Sequence, residues 1–282
     1  MDDAAPEFRN IPARYRALGW QAWAEALRAL WGAREVLVRM TWREVASRYR
    51  QSVLGPGWAL VTPLVTIGVF AFLHRARLLG VEGLAGDPGL FVCAALLPWQ
   101  LLHACLTRSA QALVAQPGLV GRVRFPREVL VLSAVASALV DFLVSLVVLG
   151  GFFLALGRAP AATALLLPLP VLGLLVLGSA LGLLLSVVNA VFRDVGRLVP
   201  LAATLWLFLS PVFYPPASQG PGLWLNWLNP AAPFLANCRS LLLEGRMVLP
   251  GELAVAALVS LLLLCGGWRV FQVMAPRAAE LV

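Results

Sequence analysis

Long apolar stretches dominate this sequence and limit the folds open to it. A helix needs about 20 apolar residues to cross the hydrocarbon core of a membrane. Five stretches are apolar enough and long enough, at 53–73, 90–113, 129–156, 171–192 and 253–271. Only 13% of all residues are charged, whereas soluble domains carry about 25%. We therefore expect an all-α, polytopic membrane protein.

The uncharged region between Arg197 and Arg239 predicts a sixth span followed by short helices. Residues 198–214 are apolar, but prolines, glycines and asparagines interrupt residues 215–245 repeatedly. A backbone broken this often is tolerated only at the membrane interface or where protein covers it. We therefore expect short re-entrant or interfacial helices on the external side, between the fifth and sixth spans.

The arginines orient the six spans. All 22 basic residues are arginine. With both termini inside, sixteen arginines fall in internal segments and Arg108 lies near the inner end of the second span. The external loops hold only five, Arg75, Arg77, Arg158, Arg239 and Arg246. Cytoplasmic loops carry the excess of basic residues, so we expect cytoplasmic termini. The chain then divides into a cytoplasmic N-terminal region (1–52), a six-span domain (53–271) and a cytoplasmic tail (272–282).

The composition excludes several kinds of site. Without lysine the chain cannot form a P-loop ATPase or a lysine Schiff base, because both need the lysine amine. The four cysteines lack CxxC spacing and the two histidines are isolated, so we expect no metal site. The net charge of +8 in so apolar a chain indicates arginines that flank spans rather than nucleic-acid binding.

Two helices are predicted before the first span. Residues 14–31 predict an amphipathic helix on the membrane surface. Its apolar face consists of Trp20, Trp23, Leu27, Leu30 and Trp31. Residues 35–51 align Arg39, Arg43 and Arg50 along one helical stripe just outside the membrane. Lipid headgroups explain this stripe; the alternative is an anionic substrate, because a guanidinium binds phosphate with two hydrogen bonds.

Asp141 is the only acidic residue well inside an apolar stretch, and serines flank it at four-residue steps. An ionisable residue at that depth is a candidate functional site that faces protein or a water-filled cavity. The alternative is a structural residue held by hydroxyls and a neighbouring helix.

Two glycines in the fourth predicted span, Gly178 and Gly182, have the spacing of a small-xxx-small contact. Such pairs let two membrane helices approach closely. They therefore favour helix packing over a binding site.

The segment 116–128 (QPGLVGRVRFPRE) is short, basic and bounded by Pro117 and Pro126. It is either a connector or an element that receives motion from a soluble motor.

Six phrases, in order along the chain, resemble one family of transporters. They are SRYRQSVLGPGWALVTPL (47–64), ALLPWQLL (95–102), RVRFPREVLVLSAVASALVDFLVSL (122–146), NAVFRDVGRLVP (189–200), LSPVFYP (209–215) and NWLNPAAPFLANCRSLLLEG (226–245). From about residue 30 to residue 271 the chain resembles the membrane-spanning permease subunits of polysaccharide ATP-binding-cassette exporters, those for O-antigen and teichoic acid.

The resemblance implies a role for three sets of residues. A cytoplasmic coupling helix would contain Gly118, Leu119, Val120, Arg122, Arg124, Phe125, Pro126 and Arg127. A gate for the substrate headgroup would contain Arg39, Arg43, Arg48 and Arg50. A channel would be lined by Trp58, Trp99, Asp141, Phe208, Phe213 and Tyr214.

The resemblance also implies partners and a substrate. Two copies of the chain would pair with two ATPase subunits that hold ATP and Mg²⁺, so this chain needs no catalytic residue and no cofactor of its own. The complex would move an undecaprenyl-pyrophosphate-linked polysaccharide across the bacterial inner membrane. The alternatives are an exporter of a drug or small lipid, and a flippase that works without an ATPase and would show several buried acids. An enzyme acting on lipid-linked sugars would cluster acids or histidines at one face, a pattern that this sequence lacks.

Overall fold

A computed structural model describes residues 20–50, 57–75, 88–115, 126–217, 219–220 and 222–278. Most of these residues are helical and none of them is in a strand, which confirms the all-α prediction. A 3₁₀ turn, Ala162–Leu166, precedes α6. The helices are α1 (Trp20–Gly32), α2 (Arg34–Tyr49), α3 (Trp58–Arg75), α4 (Pro88–Gln111), α5 (Glu128–Ala155), α6 (Pro168–Val191), α7 (Val195–Phe208), α8 (Leu223–Leu228), α9 (Ala232–Leu243) and α10 (Pro250–Ala278).

Four helical segments in the described part are long and apolar enough to cross a membrane. They are Gly89–Gln111, Glu128–Ala155, Ala162–Val191 and Pro250–Arg277. These segments coincide with the second, third, fourth and sixth predicted spans, so the chain is a polytopic membrane protein. The position of the first predicted span is taken by α3, with 18 residues, and that of the fifth by α7, with 14. At about 1.5 Å per residue α7 is shorter than the hydrocarbon core, which is about 30 Å thick.

The centre of the bundle is α4. This helix is mostly buried, whereas α10 exposes most of its apolar surface. Helix α4 packs against α3, α5, α6, α7 and α9, and its core side chains include Leu97, Leu101 and Leu102. A helix that is apolar on all sides belongs in the interior, while exposed leucines such as Leu258 and Leu262 on α10 suit a helix that faces lipid.

The contact between α4 and α6 is a seam of small residues. A Cβ at Gly178 would lie 2.8 Å from Cys105 Cβ, and one at Gly182 would lie 2.6 Å from Ser109 Cβ. Residue numbers rise together along both helices, so α4 and α6 run parallel. The prediction that these two glycines serve helix packing is confirmed.

The N-terminal helix α1 packs on the bundle through part of its apolar face. Trp23 lies edge-on to Trp268 of α10, with ring centroids 6.0 Å apart, and Leu30 joins the same cluster of core residues. Leu27 and Trp31 remain exposed, Trp31 by 73%. The apolar face is therefore divided between contact with α10 and a surface open to the surroundings.

The region between α7 and α10 contains two short helices, as the proline and glycine pattern predicted. The side chains of Trp224 and Trp227 on α8 are exposed, whereas α9 is buried along nearly its whole length. The amide of Asn229 donates to Leu209 O (3.2 Å), and its oxygen accepts from Trp206 Nε1 (2.9 Å). A side chain thus supplies hydrogen bonds where the backbone is irregular.

Arg239, one of the arginines assigned to the external loops, is only 2% exposed. Its Nη1 donates to the carbonyl oxygens of Pro211 (3.0 Å) and Tyr214 (3.3 Å). The guanidinium carbon lies 3.9 Å from the ring centroid of Phe91. This arginine therefore joins α9 to the turn after α7 and to α4, instead of facing solvent.

Candidate functional site

Two polar contacts place α2 alongside α5. The hydroxyl of Ser137 donates to Glu44 Oε1 (3.1 Å), and Arg48 Nη1 donates to Asp141 Oδ2. The partners are 93 residues apart in both pairs, and each step along either helix is about one turn. The two helices therefore run parallel and in register.

A second arginine reaches Asp141 from α4. Arg108 Nη2 donates to Asp141 Oδ2 (2.5 Å), and its Nη1 donates to Ser137 Oγ (3.2 Å). We call Glu44, Arg48, Arg108, Ser137 and Asp141 the counter-ion network. The network joins three helices, α2, α4 and α5, through one carboxylate oxygen that two guanidinium groups share.

The serines at four-residue steps from Asp141 bond backbone oxygens of their own helix. The hydroxyl of Ser145 donates to the backbone oxygen of Asp141 (2.9 Å), not to its carboxylate. Ser133 likewise bonds a backbone oxygen of its own helix, that of Leu130. The carboxylate is therefore held by arginines of two other helices rather than capped by hydroxyls.

Arg48 is incompletely satisfied in the network. Its side chain is 28% exposed and that of Asp141 is 27% exposed. Arg48 Nη2 is buried and has no hydrogen-bond partner in the described part of the chain, while Nε donates to Glu44 O at 3.4 Å. A charged group out of water is stabilised when hydrogen bonds replace the lost water. Because Nη2 makes none with the described residues, the guanidinium can still bind an acceptor.

A cavity of about 830 Å³ lies between α2, α3 and α5. We call it the α2–α5 cavity. Arg43, Arg50 and Asp141 supply its charged lining, and Trp42 and Leu60 contribute apolar walls. Pockets that bind small molecules measure about 300–1,000 Å³ and combine apolar walls with a few polar groups. The cavity has the size and the character of such a site, with an excess of positive charge.

The structure separates the four arginines that were grouped as a gate. Arg43 and Arg50 line the α2–α5 cavity, and Arg48 turns inward to Asp141, which lines the same cavity. Arg39 is exposed and is not part of the cavity lining. Three of the four residues therefore converge on one region.

The candidate channel residues occupy different places. Phe208 and Phe213 stack with ring centroids 5.9 Å apart, and the Tyr214 hydroxyl donates to Phe208 O (3.1 Å), so these three form one cluster at the end of α7. Trp58 is exposed on α3. Trp99 is 2% exposed and lies edge-on to Trp206, which makes it part of the core of this chain.

Most of the candidate coupling helix lies outside the described residues. This applies to Gly118, Leu119, Val120, Arg122, Arg124 and Phe125. Pro126 and Arg127 are described and lead into α5, with Pro126 O accepting from Val129 N (3.1 Å). They are half-buried, so the end of the segment is anchored on a long helix of the bundle.

The ends of α4 and α6 are tied to the start of α7 near this segment. Asn189 Nδ2 donates to Ala110 O (2.8 Å), and Gly196 N donates to Asn189 Oδ1 (2.6 Å). A side chain at Gly196 would collide with Gln111 and Asn189. One asparagine thus fixes three helix ends, which favours movement of this face as one body.

Sequence reasoning missed Arg108 and Glu44 as members of the site. A signal existed for Arg108, because an arginine in a buried span needs an anionic or carbonyl partner, and Asp141 is the only acid well inside an apolar stretch. Glu44 gave no such signal, since it lies on a helix rich in charge.

Comparison with known proteins gives the family. The family model described as ABC-2 type transporter matches residues 35–243, from α2 to the end of α9. A relative from Myxococcus xanthus, named O-antigen export system permease protein RfbA, is 29% identical over 257 residues, which cover 90% of this chain and 98% of the relative. Two proteins of that name from Klebsiella pneumoniae are 26% and 25% identical, each over 88% of this chain and 95% of the relative. The match across most of its length shows that the chain belongs to the ABC-2 type transporter family.

Proposed function

We propose that this chain is the membrane permease subunit of an ABC exporter for a lipid-linked polysaccharide of the O-antigen type, in the bacterial inner membrane. The observation that carries the proposal is the α2–α5 cavity, which combines Arg43 and Arg50 with apolar walls. A lipid diphosphate has the matching chemistry, because its headgroup is anionic and its chain is apolar. The names of full-length bacterial relatives support the same substrate class.

The energy for transport comes from a separate ATPase subunit. This chain has no lysine, so it cannot supply the amine that a P-loop places on the β- and γ-phosphates. Membership of the ABC-2 type family supports an ATP-binding partner. ATP and Mg²⁺ therefore belong to that partner.

The topology that we propose has six spans and cytoplasmic termini. Helices α3 and α7 serve as the first and fifth spans, beside the four longer segments. Residues 1–52 and 272–282 then lie on the cytoplasmic side, with the end of α2 reaching Asp141 of α5, and α8 and α9 form re-entrant helices on the external side. The distribution of arginines supports this orientation.

Two copies of the chain enclose the path of the polymer in this proposal. ATP binding brings the ATPase subunits together and pushes the segment from Gly118 to Arg127 of each copy, a rigid-body movement between two states. The exposed aromatic side chains Trp58, Phe208 and Tyr214 give the sugar chain weak, repeated contacts. Weak contacts at several sites let a substrate advance without being trapped.

The proposal is tested by deleting the gene for this chain in its own bacterium. We expect loss of the surface polysaccharide and accumulation of lipid-linked polymer in the membrane fraction, and a plasmid copy should restore both. Immunoblots of whole cells report the first quantity, and extraction of glycolipid reports the second. Normal surface polysaccharide in the deletion strain would exclude the proposed substrate and favour a drug or a small lipid.

A second strain tests the source of energy. In this strain the P-loop lysine of the ATPase subunit is replaced by alanine, while the permease is unchanged. Export should stop, because ATP hydrolysis in the partner drives the conformational change. Continued export would favour a flippase that needs no ATPase.

A further inference from the structure

We propose that Asp141 is a counter-ion that pairs with Arg48 while the α2–α5 cavity is empty. An entering diphosphate replaces Asp141 as the partner of Arg48, and this exchange releases α2 from α5. The inference rests on the proposed function, because it concerns the anionic headgroup of that substrate. It gives Asp141 a regulatory role in place of the channel-lining role that the sequence suggested. It also brings in Arg108, which had no assigned role.

The first step is that Asp141 binds Arg48 incompletely. Asp141 Oδ2 accepts from Arg48 and from Arg108 at the same time, so neither arginine makes the two-pronged contact that a guanidinium makes with a matched anion. Among the residues that the structure describes, Arg48 Nη2 has no hydrogen-bond partner. A phosphate group, with several acceptor oxygens, can satisfy this nitrogen and Nη1 together.

The second step is that Arg108 keeps the Asp141 carboxylate paired during the exchange. Removal of one partner from an ion pair that is shielded from water is destabilising, because the remaining charge is left without compensation. When Arg48 leaves, Asp141 still accepts from Arg108 Nη2 at 2.5 Å. Arg108 itself is held in place by Ser137 Oγ at 3.2 Å. The carboxylate therefore stays paired in both states.

The third step concerns charge in and around the cavity. Within the counter-ion network the charges of Arg48 and Arg108 balance those of Glu44 and Asp141. Arg50, on the cavity wall, adds a positive charge beside the network that an anionic ligand can offset. A diphosphate that binds there lies next to Asp141 and repels it, which weakens the Arg48–Asp141 contact further.

The fourth step links the exchange to movement. Arg48 and Glu44 are the α2 residues that make the polar contacts with α5 described above, one turn apart. Loss of the Arg48 contact leaves α2 attached to α5 through Ser137 and apolar packing. Binding of a diphosphate in the cavity therefore loosens the attachment of α2, the helix that precedes the first span.

The test measures binding of farnesyl diphosphate, a short lipid diphosphate, to the complex of permease and ATPase subunits in lipid nanodiscs by calorimetry. Asp141→Asn removes the competing carboxylate, and we expect the complex to bind the probe about tenfold more tightly, a gain within the range of coupling energies between close charges. In an Arg48→Gln background the same substitution should give no gain, because Asp141 acts through Arg48. Glu35→Gln, which removes a negative charge at an exposed position of α2, should bind like the wild type.

A second measurement uses the wild-type protein and does not depend on folding of the variants. Addition of farnesyl diphosphate should speed hydrogen exchange of the backbone amides of Arg34–Tyr49, because these residues lose a contact with α5. Slower or unchanged exchange in this segment would contradict release.

The inference and the proposed function fail in different ways. If the wild-type complex binds the probe but Asp141→Asn does not bind it more tightly, or gains equally without Arg48, the counter-ion role is wrong and the exporter stands. If neither protein binds the probe, the counter-ion role is also wrong, and the export phenotype of the deletion strain alone decides the function.

Discussion

Arg239 is a buried cation whose partners are carbonyl oxygens and an aromatic ring. Its guanidinium joins the carbonyls of Pro211 and Tyr214 to α9 while it lies over Phe91 of α4. A planar group with several donors can make these contacts at once, whereas a lysine ammonium cannot reproduce their geometry. The turn after α7 therefore depends on arginine in particular.

Arg239→Lys should lower the free energy of unfolding by roughly 2 kcal/mol, because hydrogen bonds from a charged group are lost and buried carbonyls lose a donor. Thermal unfolding of the purified permease in detergent measures the change. Arg246→Lys is the matched control, since Arg246 is largely exposed and pairs with Glu244 at the surface. The control should change the free energy by less than about 0.5 kcal/mol.

Asn229→Asp should destabilise the same region by roughly 3 kcal/mol. The substitution replaces the donating amide nitrogen with a buried carboxylate oxygen, which would face the acceptor Leu209 O. The amide nitrogen donates to Leu209 O and Ser210 Oγ in the wild type. Gln219→Glu makes the same chemical change at an exposed position and should have little effect. Equal melting temperatures for the two variants would show that the Asn229 amide does not hold the turn.

Single residues differ in how far the sequence revealed their roles. The asparagines and prolines of residues 215–245 predicted that side chains or protein must cover the backbone there, and Asn229 fulfils this. Arg239 was assigned to an external loop, because a sequence pattern cannot distinguish an arginine that faces water from one whose carbonyl partners lie 25 and 28 residues away.

At the level of helices, the parallel seam of α4 and α6 depends on the absence of side chains. Gly178 and Gly182 bring α6 against Cys105 and Ser109. Close approach of two helices increases dispersion contacts, which stabilise association in a membrane where the hydrophobic effect cannot.

Gly182→Ala should lower the free energy of unfolding by about 1–3 kcal/mol, because the added methyl overlaps Ser109 and forces the helices apart. The matched control is Gly151→Ala in α5, where an added Cβ meets nothing within 4 Å. The control should be neutral or slightly stabilising, since alanine favours helix over glycine. Thermal unfolding in detergent compares them, and an unchanged Gly182→Ala protein would show that the seam can relax.

Helices were predicted more successfully than contacts between them. Hydropathy located α4, α5, α6 and α10, because a stretch of about 20 apolar residues is typical of a helix that crosses a membrane. The same rule extended the fifth span to residue 214, whereas α7 ends at Phe208. The packing of α2 along α5 had no local signal, because its partners Glu44 and Ser137 are 93 residues apart.

For the whole molecule, the question is how movement of an ATPase reaches the spans. The basic segment 116–127 connects α4 to α5 along the chain. Asn189 ties the end of α4 to α6 and α7 close to this point. Under the proposed coupling, a push on the segment would be applied to α4, the central helix, which packs against α3, α5, α6, α7 and α9.

Replacement of Arg124, Phe125 and Arg127 together by alanine should abolish export, because a docking surface needs the charge and the aromatic side chain to hold the ATPase subunit. Membrane insertion should be unaffected, since the spans are unchanged. Arg158→Ala is the matched control: it removes an exposed arginine from the loop after α5, at the opposite end of that helix, and should leave export intact. The surface polysaccharide reports export, and co-purification of the ATPase subunit reports docking. If the triple variant exports normally, the movement enters the membrane elsewhere, and the segment is only a connector between two spans.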